Sequence, residues 1–137
     1  MFQDTLTGLP ESLLLLVIHE IHTMLHADLS NRKLFEETYE WIEQHAKQNI
    51  SASDAADAMN KSVAHLNRVV RQHSQQSLSE LIASRRIFEI KHLCSSKSIT
   101  ISEMADALDF ASPELLRKYY RYHTGTSLKQ LLDSQKQ

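Results

Sequence analysis

The chain has 137 residues, of which 42% are hydrophobic and 23% charged, and it carries a single cysteine, two glycines and two prolines. This length suffices for one domain, or a small pair, with a buried core. One cysteine excludes an internal disulfide, and we expect Cys94 to be a small apolar residue in a reducing compartment. Few residues are suited to β-hairpin turns and the apolar periodicity is helical. The composition therefore predicts an all-α fold.

The sequence shows no leader with a basic start and a small-residue cleavage site. The apolar run LLLLVI is too short by itself to span a bilayer. We therefore expect a cytoplasmic protein that makes no membrane contact.

The net charge of −2 is distributed unevenly along the chain. Residues 1–45 hold two basic and eight acidic side chains, a net charge of −6, whereas residues 46–137 hold thirteen basic and nine acidic, a net charge of +4. A modest attraction to phosphate is therefore expected of the second part alone.

The first predicted helix runs from Glu11 to Leu29 and begins beside Pro10. It carries an apolar stripe at 4-3-4 spacing, formed by Leu14, Ile18, Ile21 and Leu25. Such a stripe has to be covered, either by the chain's own domain or by a second copy. A homodimer through the Glu11–Leu29 helix is thus one of two expectations.

Three histidines lie along one side of this helix, His19, His22 and His26. Their i, i+3, i+7 spacing is compatible with a metal site or a proton-sensitive switch. We expect a solvated flank instead, and no metal, because the neighbouring sequence does not complete a ligand set. After a polar break at residues 28–31, a second helix is predicted from Lys33 to Lys47.

From Ile50 onward the sequence is duplicated. The segment that starts ISASDAADAMNKS returns as ITISEMADALDFAS, with an offset of 49 residues before the turn and 50 after it, as in Ile50/Ile99 and Ser62/Ser112. Identity falls on polar and apolar positions alike, so the repeat is more than shared helical composition. Each copy reads as a short helix, a tight turn and a cationic second helix, the arrangement of a helix-turn-helix. We place these units at about residues 51–74 and 100–123, joined by a connecting helix at about 77–93.

Each unit contains residues suited to its helix starts and its turn. The first helices can be capped by Ser51 or Ser53 in one unit and by Thr100 or Ser102 in the other. Asn60 and Asp109 stand at the turns, where a side chain that tolerates left-handed backbone is needed. Ser62 and Ser112 can cap the second helices, whose starts are suited to phosphate.

The second helices are predicted to be the DNA-reading elements. In the first unit, Leu66, Val69 and Val70 are expected to face the core and Ala64, Asn67, Arg68 and Arg71 to face outward. In the second unit, Leu115, Leu116, Tyr119 and Tyr120 are expected inside, with Glu114, Arg117, Lys118 and Arg121 outside. Arginine can bind guanine, asparagine adenine and glutamate cytosine, and alanine can contact a thymine methyl. These outward sets are therefore chemically able to read bases.

The stretch from Phe35 to Leu132, about seventy per cent of the chain, resembles the DNA-binding domain of the AraC/XylS family of bacterial transcription regulators. The matching segments are WIEQH, SVAHLNRVVRQHS, the SRR that contains Arg85 and Arg86, and ITISEMADALDFASPELLRKYYRYHTGTSL. The resemblance implies a division into a DNA-binding domain at residues 35–137 and a preceding helical segment at residues 1–34. That segment is either the start of a short family member or the remnant of a regulatory domain.

The resemblance also implies roles for the outward residues. Base contacts would fall on Ala64, Asn67 and Arg68 in the first unit and on Glu114, Arg117 and Lys118 in the second. Phosphate contacts would fall on Ser62, Arg71, Ser112 and Arg121. The two recognition helices would enter successive major-groove segments about 34 Å apart, one turn of DNA.

We therefore expect a sequence-specific regulator of transcription that binds double-stranded DNA, more specifically an activator that also contacts RNA polymerase, as the resemblance implies. The alternative is an AraC-like interaction module that has lost DNA binding and modulates another regulator through its acidic N-terminal part. An enzyme is not expected, since the sequence contains no nucleophile turn, glycine-rich phosphate loop or zinc spacing, and no cofactor is implied.

Overall fold

The computed structural model describes residue 8 and residues 10–96 and 98–135. In chain order the helices are α1 (Glu11–His45), α2 (Ala52–Ala58), α3 (Val63–Ser74), α4 (Leu78–Cys94), α5 (Ile101–Ala107), α6 (Pro113–Thr124) and α7 (Leu128–Gln135). The described residues contain no strand, so the all-α prediction is confirmed.

Helix α1 is one continuous helix of 35 residues, so the break predicted at residues 28–31 is wrong. That stretch contains neither glycine nor proline, and its polar side chains are simply exposed or half-exposed on a continuing helix. The next turn adds two i, i+4 ion pairs, Arg32–Glu36 at 3.5 Å and Lys33–Glu37 at 3.9 Å. The helix therefore crosses the boundary predicted at residue 34 without interruption.

The second half of α1 packs on the first helix-turn-helix unit. Thr38 and Ile42 are fully buried there, and the Thr38 hydroxyl donates to the Leu34 carbonyl at 2.7 Å. The buried Thr38 hydroxyl thus finds its hydrogen-bond partner within its own helix. The end of α1 is thereby an integral part of the first unit.

The two helix-turn-helix units, α2–α3 and α5–α6, reproduce the sequence duplication. Helix α5 starts and ends 49 residues after α2, and α6 starts and ends 50 residues after α3. Of the alternative caps, Ser51 accepts from the Asp54 amide and Thr100 from the Glu103 amide. Asn60 and Asp109 adopt left-handed backbone with φ of 56° and 60°, as predicted. The extra residue therefore falls in the turn of the second unit.

Helix α4 joins two separate hydrophobic cores. Leu78, Leu81 and Ile82 belong to the first core, together with Ile42, Ala55, Ala56, Leu66 and Val70. Ile87, Ile90 and Cys94 belong to the second, together with Met104, Ala105, Leu108, Leu116, Tyr120 and Leu128. Burial raises the pKa of the Cys94 thiol, which keeps it protonated and suits its expected apolar role. Each unit thus has its own core, and α4 supplies side chains to both.

The first half of α1 extends beyond this packing and keeps an exposed apolar face. Its large exposed apolar side chains are Leu13, Leu15, Leu16, Val17, Ile18, Ile21, Met24, Leu25 and Leu29. By length and composition alone, α1 could cross a membrane, because one 18-residue window reaches a mean hydropathy of 1.2 and none of it is buried. The same half carries Glu20, Asp28 and three exposed histidines, so its polar side chains follow a stretch, residues 13–18, that is apolar on all sides.

Candidate nucleic-acid interface

The second helices of the two units, α3 and α6, each begin at a serine cap whose hydroxyl can still donate a hydrogen bond. The Ser62 hydroxyl accepts from the His65 amide at 3.1 Å, and the Ser112 hydroxyl accepts from the Leu115 amide at 3.2 Å. Each hydroxyl hydrogen is still able to donate, for example to a phosphate oxygen. The predicted caps are therefore in place, and phosphate contact is compatible with the capping geometry.

Helix α3 buries the three residues predicted to face its core, Leu66, Val69 and Val70. Ala64, Arg68 and Arg71 are exposed on the other side, as expected. Arg68 is held by its neighbour, since its Nη2 lies 3.1 Å from His65 Nδ1. This contact directs the guanidinium along the helix surface.

Asn67 differs from its neighbours on α3. It is half-buried, and its Oδ1 accepts from the backbone amide of Leu78, the first residue of α4, at 2.8 Å. Its carbonyl therefore serves the start of the connecting helix, and this oxygen would have to leave that bond before it could read a base.

Helix α6 buries Leu116 and Tyr120 and half-buries Tyr119. The prediction that Leu115 faces the core is wrong, since this side chain is 48% exposed. One residue turns a helix by about 100°, which moves Leu115 off the face that carries Leu116 and Tyr120. The N-terminal turn of α6 therefore presents a large apolar side chain outward.

The four polar residues predicted to face outward on α6 do so. Glu114, Arg117, Lys118 and Arg121 are all exposed. Glu114 Oε1 lies 3.8 Å from Arg117 Nη1, an i, i+3 ion pair. Two residues to which the resemblance assigned base contacts are thus paired with each other in the free protein.

Two further residues on this surface were not predicted. Tyr122 is 84% exposed on α6, one residue after Arg121, and His65 is half-buried beside Arg68 on α3. The 50-residue offset pairs His65 with Leu115 and so contained the signal that position 115 is not a core position. No comparable signal singled out Tyr122.

His19, His22 and His26 on α1 are exposed, as expected of a solvated flank. The rings of His22 and His26 stack with their centroids 6.5 Å apart. Among the described residues, no group of three or more histidine, cysteine, aspartate or glutamate side chains could hold a metal ion.

The family model of the AraC-type helix-turn-helix domain matches residues 55–134, more than half of this chain. The chain belongs to the AraC-type helix-turn-helix family. This family consists of DNA-binding transcription regulators rather than enzymes. A search of the curated proteins found no match.

Solved structures with the same fold include other AraC-type domains. The C-terminal domain of AraT, a response regulator from Geobacillus stearothermophilus, gives a TM-score of 0.67 at 20% identity, covering 74% of this chain and 84% of that chain. An AraC-type regulator from Chromobacterium violaceum gives 0.66 at 19%, covering 80% and 97%. The DNA-binding domain of AdpA, solved in complex with a target DNA, gives 0.64 at 19%, covering 73% and 90%. At these identities the likeness establishes the fold.

Proposed function

We propose that this protein binds specific double-stranded DNA sequences by placing α3 and α6 in successive major-groove segments. One observation carries the proposal. On two helices that begin at serine caps and are related by the 50-residue offset, exposed cationic side chains occupy the same positions, Arg68 with Lys118 and Arg71 with Arg121. Two helix faces that only contact solvent would not be expected to carry cationic residues at matching positions.

The proposed contacts fall into two classes. Ala64, Arg68, Glu114, Arg117 and Lys118 are proposed to meet base edges, and Ser62, Arg71, Ser112 and Arg121 to meet phosphates. Asn67 is not included in the first class, because its oxygen is bonded to α4. Since the two helices differ in sequence, the site they read has two dissimilar halves.

Selection of bound sequences from random duplex DNA tests this function directly and yields the site. Lys118→Ala should weaken the binding free energy for the selected duplex by about 1–3 kcal/mol, measured by fluorescence anisotropy. Lys129→Ala is the matched control, because Lys129 is also an exposed lysine but lies on α7, outside both recognition helices. Equal and weak binding of the wild-type protein to every duplex would reject the proposal and favour the interaction module.

Activation of transcription through RNA polymerase is part of the same proposal. It rests on the family resemblance, and an in vitro transcription assay on a promoter that contains the selected site tests it. Added protein should raise transcript yield, and a Lys118→Ala variant should fail to do so at the same concentration. A fall in yield with the wild-type protein would identify a repressor instead.

We also propose that the first half of α1 pairs with a second copy of the chain. Its apolar residues Ile18, Ile21 and Leu25 continue a 4-3-4 pattern and are all exposed, while the three histidines flank this stripe and Glu20 lies opposite it. Acidic side chains are costly in a bilayer interior, so Glu20 and Asp28 favour a helix pair over a membrane-spanning helix.

Sedimentation equilibrium measures this association. The wild-type chain should form dimers that Ile21→Asp abolishes, while Thr23→Asp, on the polar side, leaves them intact. A monomer that co-floats with lipid vesicles would contradict the homodimer and assign the helix to a membrane.

A further inference from the structure

Arg86 lies at the boundary between the two cores. It stands in the middle of α4, between Ile82, which belongs to the first core, and Ile87, which belongs to the second. Only 3% of its surface is exposed. A buried guanidinium is retained only where its donors find partners, so its contacts indicate what it holds.

On one side Arg86 binds the end of α1. Its Nη1 donates to the Ala46 carbonyl at 2.7 Å and also to the Gln48 carbonyl. These carbonyls belong to the segment that leads from α1 into α2, so the guanidinium fixes the entry to the first unit.

On the other side Arg86 binds the second unit. Its Nη2 donates to the Leu108 carbonyl in the turn at 2.8 Å. The guanidinium carbon lies 4.6 Å from the Phe110 ring centroid and 5.7 Å from that of Tyr119. Tyr119 is on α6 itself, so one side chain connects the end of α1 with the second recognition helix.

A second bond crosses the same boundary. The Asn49 amide donates to Asp109 Oδ2 at 2.8 Å. Asp109 is the left-handed residue in the turn of the second unit, with φ of 60°. The corresponding turn residue of the first unit, Asn60, makes no such bond to the other unit within the described part of the chain.

We propose that Arg86, together with the Asn49–Asp109 bond, is a positioning device that fixes α3 and α6 relative to each other and thereby sets the half-site spacing this protein accepts. The proposal rests on the proposed function. The two cores share no residue, so without these bonds the units are joined mainly by α4. A helix alone can still bend and twist slightly between the two units, whereas bonds to both sides of the boundary oppose that motion.

Two variants loosen the joint in different ways. Arg86→Lys keeps the charge but cannot present five donors in a fork, so it cannot hold carbonyls on both sides. Asp109→Gly removes only the second bond, and glycine is well suited to a φ of 60°. Asn60→Gly is the control, because it also places a glycine at the left-handed position of the equivalent turn but does not touch the boundary.

The first assay measures affinity for duplexes in which base pairs are added or removed between the selected half-sites. One base pair shifts and rotates the second half-site, and we expect wild-type affinity to fall on the order of tenfold per step. For Arg86→Lys and Asp109→Gly the fall should shrink to about threefold, with affinity for each isolated half-site unchanged. Asn60→Gly should keep the wild-type profile. An equal loss at every spacing would mean that these residues only stabilise the fold and would overturn the proposal.

The second assay needs no DNA and separates this inference from the proposed function. Spin labels at Lys61→Cys and Lys129→Cys, in a Cys94→Ala background, report the distance between the units by pulsed electron resonance. We expect a narrow distribution for the parent and a broad one when Arg86→Lys or Asp109→Gly is added. Should Arg86→Lys fail to fold, Asp109→Gly carries the test. If the parent bound no DNA but the added substitutions broadened its distance distribution, the joint would stand and the proposed function would fall. Distance distributions left unchanged by both substitutions would refute the joint.

Discussion

Asn67 has two possible roles: the family resemblance implies a base contact, whereas its hydrogen bond to α4 implies a structural role. Its Oδ1 accepts from the Leu78 amide at 2.8 Å, at the start of α4, where the first four amides have no partner within the helix. The Ser77 hydroxyl already accepts from Glu80 at 3.1 Å and does not replace Asn67. Asn67→Ala should therefore lower the free energy of unfolding by about 1–2 kcal/mol, and for a chain of 137 residues each kcal/mol corresponds to a fall in Tm of roughly 3–5 °C.

The assay combines thermal denaturation with DNA binding well below Tm. Asn67→Ala should have a lower Tm than the wild-type protein but the same sequence preference. Arg117→Ala, at the equivalent exposed position of α6, should keep the wild-type Tm and lose part of the sequence preference. Asn67→Asp retains an acceptor for the Leu78 amide and should recover most of the stability. An Asn67→Ala variant with wild-type Tm and a relaxed base preference would show that Asn67 reads DNA and that its bond to α4 contributes little.

Three further predictions concern the second unit. Glu114→Gln removes the partner of Arg117, so all duplexes should bind more tightly and discrimination at one base pair should fall by about 1–3 kcal/mol in competition anisotropy. Burial is the main cause that raises the pKa of the Tyr119 phenol, and the nearby Arg86 opposes this shift. The raised pKa contributes folding stability that is fully present below about pH 10, where the unfolded tyrosine titrates, and is lost as the pH rises above it. Denaturant melts should therefore show a larger loss between about pH 8 and pH 11 for the wild type than for Tyr119→Phe. Leu116→Ala, at a fully buried site, should cost about 2–5 kcal/mol and melt the second unit before the first, seen as two transitions in calorimetry.

Most of the fold could be predicted from the sequence, because the duplication constrains it. Two copies of one pattern gave the helix order, and serine, threonine, asparagine and aspartate at the caps and turns marked the boundaries. The error at residues 28–31 has a simple physical origin. Polar residues lower helix propensity only slightly, and ion pairs in the next turn, such as Arg32–Glu36, offset that loss.

The site was less predictable, because position on a helix does not determine what a side chain bonds to. Helical periodicity placed Arg68 and Lys118 outward correctly. It could not show that Asn67 bonds to a residue eleven positions later, since that contact depends on how α3 meets α4. In the sequence Arg86 stands out only as part of a family motif, and its burial between two units is a property of the tertiary structure.

The separation of the two cores has an evolutionary consequence. Because no buried residue is shared between them, a substitution that repacks one unit leaves the interior of the other unchanged. Under the proposed function, selection can therefore change the base preference of one unit at a time, which lets a duplicated regulator diverge in small steps. Arg86 is where that independence ends, because its side chain bonds to both units and a change there affects both together.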